Sequence, residues 1–120
     1  CDYMVAPGSN RVSHRVSLYN AEYDIYITSL HYKPAGYYDE YWSNNMIYDF
    51  IYPNESFDML MDEGVYDFKV YAEDEYYSYE ACMYDVYVYE NVQIDFCLDC
   101  DKMKDKVKII KTPKKNLPGH

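Results

Sequence analysis

The chain has 120 residues, 21 acidic against 11 basic, a net charge of −10 and 18 tyrosines. That length holds a single domain, and the acidic balance disfavours nucleic acid, a polyanion, as a partner. Four glycines leave no glycine-rich phosphate loop, and no apolar run approaches the roughly 18 residues of a membrane helix.

Residues 1–10 form an N-terminal segment opening on Cys1. A start at cysteine rather than methionine is expected of a chain whose leader has been removed. Cleavage just before a cysteine resembles bacterial lipoprotein processing, in which lipid on Cys1 would be the only link to a membrane. Trimming after ordinary secretion is the alternative.

Alternation with period two then predicts strand after strand. Residues 11–20 place Val12, His14, Val16 and Leu18 on one face, and residues 23–32 alternate around Ile25, Ile27 and Ser29. Residues 34–45, "PAGYYDEYWSNN", read as a loop rich in turn residues and aromatics. "MIYDFIY" is a short apolar strand stopped by Pro53 and Asn54; "SFDMLMD" alternates Phe57, Met59 and Met61, and Glu63-Gly64 turns the chain. Tyr66, Phe68 and Val70 share a face in the next strand. Residues 77–89 and 92–99 are predicted as a hairpin about Glu90-Asn91, with Tyr84, Val86 and Val88 on one face of the first arm. Val92, Ile94, Phe96 and Leu98 share a face of the second. The expected core is Val12, Val16, Leu18, Ile25, Ile27, Phe68, Val70, Val86, Val88, Ile94 and Phe96. No segment carries a helical period. Short strands at such spacing predict an all-β, antiparallel immunoglobulin-like sandwich of about seven strands over residues 11–101.

The landmarks Asn20, "EYWSNNMI", "IYPNESF" and "EGVYDFKVYAED", spread over residues 12–96, resemble a small immunoglobulin-like β-sandwich domain of secreted and lipoprotein-type bacterial chains. That pattern has an Asn ending the first strand, a Trp-Gly-x-Asn-like loop after the second, a Pro-Gly-Glu-Ser-like turn and a Gly-x-Tyr-Asp step. Here Ser43 follows Trp42 and Asn54 follows Pro53 where the pattern has glycine. The resemblance implies a fold and an extracellular or cell-surface location. It carries no activity and places no catalytic residue.

The cysteines are Cys1, Cys82, Cys97 and Cys100. The CxxC spacing of "CLDC" suits redox or zinc chemistry, but the histidines lie at no metal spacing and no βαβ context surrounds it. Disulfides in an oxidising compartment are the expectation. The predicted hairpin sets Cys82 opposite Cys100 if its loop is 90–92. A shift to 89–91 sets Met83 opposite Cys97, so Cys82 is expected to bond one of the two. Acidic pairs are too common here to mark catalysis, and no nucleophile motif is present. The expectation is no enzyme, no cofactor and no metal. Tyr37, Tyr38, Tyr41 and Trp42 form a candidate platform for a partner or glycan. Asn54 in "NES" is a glycosylation sequon in a turn.

The last strand differs in charge from everything before it. Residues 1–101 carry 4 basic and 20 acidic side chains, a balance of −16; residues 102–120 carry 7 and 1, a balance of +6. In residues 102–111 Met103, Val107 and Ile109, with Asp105 the one polar exception, alternate with Lys102, Lys104, Lys106 and Lys108. This predicts an extra strand, apolar on one face and basic on the other, ended by Thr112-Pro113 ahead of the tail 112–120. A strand beyond a complete domain folds back as an edge or completes a neighbour's sheet. The reading that follows is a non-catalytic structural subunit whose partner is itself, assembling into a fibre by donating that strand. The alternative is a monomeric surface lipoprotein, anchored at Cys1, that binds through loop 37–42.

Overall fold

A computed structural model describes residues 12–100 and 107–114. Its strands are β1 (Ser13–Asn20), β2 (Tyr26–Pro34), β3 (Ser56–Asp62), β4 (Gly64–Glu73), β5 (Tyr77–Val88), β6 (Val92–Phe96) and β7 (Val107–Pro113), with a 3₁₀ turn at Asp39–Tyr41. They form two sheets, β3-β1-β6 and β2-β4-β5-β7, packed as an all-β sandwich. All pairings are antiparallel except β1 with β6, which is parallel.

The alternation read in the sequence supplies the inner faces. Val16, Leu18, Ile25, Ile27, Phe68, Val70, Val88, Ile94 and Phe96 are all buried in one cluster, with Val86 packed against it. Val12 is the exception at 54% exposed: it precedes β1, tied to the β3–β4 turn only by its carbonyl, which accepts from Glu63 N–H at 2.9 Å. Met61 and Leu30 join the core, so that both sheets fill the space between them.

Three expectations are corrected. The first is the hairpin at 77–99. Its two arms lie in different sheets: β5 pairs with β4 and β7, while β6 lies beside β1. Alternation reveals which face of a strand is apolar, not which sheet it joins. Val88 and Ile94 therefore share the core from opposite layers instead of lying side by side. The second is the strand at 46–52. That segment crosses the open side of β2 with a single bridge, Ile27 to Ile51, and its apolar residues Ile47 and Ile51 join the core cluster. The third concerns two faces. A register shift between Ile27 and Ser29 moves the inward position to Leu30 and leaves Ser29 on the other face. A second shift, between Tyr66 and Phe68, sets Tyr84 and Asp85 against Asp67 alone. Inward positions then pass from Ala81 and Met83 to Val86 and Val88, and Tyr84 turns outward.

Candidate functional site

The terminal strand is present from Val107 onward; Met103, Lys104 and Lys106 lie outside the described residues, as do Cys1 and most of the N-terminal segment. β7 closes one edge of the four-stranded sheet, in register Met83↔Val107, Cys82↔Lys108, Ala81↔Ile109 and Tyr79↔Lys111. Val107 and Ile109 face inward, lining a small cleft with Ala81, Met83, Phe96 and Leu98. Lys108 and Ile110 face outward beside Cys82 and Trp42. Of the expected basic face only Lys108 is among the described residues; Ile110 shares its face, and Lys111 falls on the face of Val107 and Ile109. The strand runs through Pro113; beyond it Lys114 N–H still donates to Tyr76 O at 2.9 Å, and its Nζ lies 2.7 Å from Glu73 Oε1. No residue of β7 is fully buried, and Ile109 and Ile110 are 39% and 45% exposed.

The loop between β2 and β3 folds over the outer face of the same sheet. Gly36 adopts φ +82°, a left-handed turn open to glycine, and its N–H donates to Asp67 Oδ2 at 3.3 Å. The 3₁₀ turn follows, and Trp42 N–H donates to Asp39 O at 3.1 Å. This sets the indole against two cations, Lys69 Nζ at 4.6 Å and Lys33 Nζ at 5.0 Å from the ring centre. Trp42 is therefore engaged by its own sheet, whereas Tyr37, Tyr38 and Tyr41 project into solvent. Tyr37 and Tyr41 meet edge to face at 5.4 Å. Asn54 occupies an exposed turn at φ 68°, its Oδ1 accepting from Tyr19 OH at 3.0 Å.

The cysteine pairing differs from expectation. Cys97 bonds Cys100, and Cys82 is a buried free thiol. Cys82 sits on the outer face of β5 opposite Lys69 and Lys108, while Cys97 follows β6 in the other sheet. The hairpin that would have brought them together does not form. Burial pushes the Cys82 thiol above its usual range, and Glu80 beside it adds to that.

One buried constellation was not foreseen. Lys33 Nζ and Asp67 Oδ2 are 2.7 Å apart, and the two residues are 4% and 3% exposed. Asp67 Oδ1 also accepts the N–H of Asp85, the bulged residue at φ 56°. Burial alone would raise the Asp67 carboxyl, but Lys33 and the amides of Asp85 and Gly36 outweigh it and hold the group below the usual carboxylate range. The ion pair ties β2, β4, the bulge in β5 and the start of the aromatic loop together. The signal in the sequence was faint: Lys33 is one of only 4 basic residues before position 102. Among the described residues no three His, Cys, Asp or Glu side chains are grouped to hold a metal ion. His14 lies 2.8 Å from Glu63, and His31 contacts Ser43 O and Ser29 Oγ.

Comparison of the chain with protein-family models, with curated proteins and with solved structures finds no match.

Proposed function

We propose that this protein is a non-catalytic, extracellular structural subunit with an immunoglobulin-like sandwich, which assembles with copies of itself by exchanging its terminal strand. The connections β3 to β4 and β5 to β6, each passing from one sheet to the other, support the finer description of the fold. The Cys97–Cys100 bridge favours an oxidising compartment.

The observation that carries the reading is how β7 is held. It has a full ladder to β5 and no fully buried side chain. A strand held by a main-chain ladder and half-exposed side chains, Lys111 over the Tyr77 ring at 4.1 Å among them, is exchangeable, because a neighbour's β5 offers the same ladder and the same contacts. The basic tail and acidic body of successive copies attract one another. Lys108→Cys tests the exchange, since residue 108 lies directly opposite the free thiol of Cys82. After mild oxidation the reading expects covalent oligomers on a non-reducing gel. A purely intramolecular bond would show that β7 stays on its own sheet.

A second reading rests on a different observation, the three exposed tyrosines of the 37–41 turn. In it the protein is a surface lipoprotein, lipidated at Cys1, that holds a partner or glycan through those rings. Replacing all three by serine separates the two, because it abolishes that binding and leaves assembly intact.

A further inference from the structure

We propose that the outer edge of β3, with the methionine-lined groove beside it, is the acceptor for the outer edge of β7 from a second copy of this chain. β3 and β7 are edge strands of different sheets. Among the described residues each is paired on one side only, β3 with β1 and β7 with β5. Both are 7 residues long.

Their charges are of opposite sign. Residues 54–64 hold Glu55, Asp58, Asp62 and Glu63 with no basic residue, and β7 holds Lys108 and Lys111 with no acidic one. Like edges repel, which disfavours β3 on β3 and β7 on β7, while β7 on β3 places cations against carboxylates. Lysines on an edge strand ordinarily guard it against pairing. Guarding alone gives no reason to leave Ile109 and Ile110 open, or to leave Leu60 76% exposed on β3. Beside β3 a groove of about 210 Å³ is lined by Tyr32, Met46, Met59, Met61 and Tyr66. Methionine is flexible and polarisable and adapts to an incoming apolar side chain. A strand laid along β3 turns every second side chain toward that groove, so one of the two isoleucines enters it.

Because the two edges belong to different strands, the contact is heterologous and propagates unless it closes into a ring. The proposal deepens the self-assembly reading and rests on it. It holds whether β7 lies on its own β5 or a neighbour's, since the outer edge is the same.

The test is sedimentation velocity over a concentration series on the full chain, on Leu60→Lys and on the double variant Asp58→Lys/Leu60→Lys. Both positions are exposed, so circular dichroism should be unchanged; if the double variant fails to fold, Leu60→Lys alone carries the comparison. The expected result is that the variants form smaller species than the wild type at every concentration, limited to what strand exchange onto β5 alone assembles. Small amounts of variant should also cap wild-type assemblies, because they donate β7 but cannot accept it. If wild type and variants assemble alike, β3 is not the acceptor and the self-assembly reading stands. If the wild type stays monomeric at every concentration, both fall.

Discussion

Replacing Asp67 by Ala should be among the most damaging single changes in this protein, although it removes no apolar contact. The substitution leaves the Lys33 ammonium, 4% exposed, without its carboxylate. Breaking a buried pair by deleting one partner costs about 3–5 kcal/mol. The Asp85 N–H, which donates to Asp67 at 2.9 Å, loses its acceptor as well, a penalty of roughly 1–3 kcal/mol on its own. These do not add fully, and Trp42 at 5.0 Å retains some stabilisation for the stranded cation. The expected loss is therefore about 4 kcal/mol. Equilibrium unfolding in urea reads it directly: with a slope of about 1.5 kcal/mol per molar, the midpoint moves down by between 2 and 3 M, roughly. Lys33→Met should cost less, because the carboxylate keeps both amide donors. The pH dependence follows the same logic. The folded Asp67 carboxyl titrates below its unfolded value, so its contribution is complete above about pH 4 and is lost as pH falls through the folded value. The Asp67→Ala protein should lose less stability than wild type across that acid range. A loss under about 1 kcal/mol at neutral pH would refute the claim that this pair organises the bulge and the loop.

Phe68 is fully buried, and Phe68→Ala should cost on the order of 3–5 kcal/mol in the same assay, whereas Val12→Ala should stay within about 0.5 kcal/mol. Cys82 should resist iodoacetamide in the native protein at pH 8 and react once urea unfolds it; peptide mass mapping separates it from the other cysteines, and rapid native labelling would contradict its burial. Cys97 and Cys100 are three positions apart, so the closed loop is short; replacing both by serine should cost about 2 kcal/mol at most, and a much larger loss would mean the bridge does more than restrain the unfolded chain.

The faces of the strands were legible because burial imposes period two on any strand with one wet side. That is why Val16, Leu18, Phe68, Val70 and Phe96 could be placed from spacing alone. Partnering was less legible. β5 and β6 are adjacent in sequence and joined by a short turn, yet they fall in different layers, and neither arm's pattern distinguishes a hairpin from a crossing. The bulges escaped for a related reason. Asp85 at φ 56° is stabilised by Asp67, which is 18 residues away, so nothing local marks it, and alternation alone puts Tyr84 on the face of Val86. The disulfide error followed from the hairpin error. In the terminal strand alternation placed Val107 and Ile109 inward, whereas the edge it occupies depends on long-range pairing with β5. The acidic β3 edge was visible as charges at Asp58 and Asp62, but its groove is assembled from Tyr32, Met46 and Tyr66 on other segments.

Self-assembly is the claim on which the functional reading turns, and the most direct measurement is the mass distribution of the unmodified full chain. Sedimentation velocity across a hundred-fold range of concentration, with electron microscopy of the same samples, reads it without any mutation. Assembly through the terminal strand predicts concentration-dependent species well above the 14.4 kDa chain, growing into fibres and shrinking as salt screens the opposed charges. A single species at the chain mass throughout that range would contradict it.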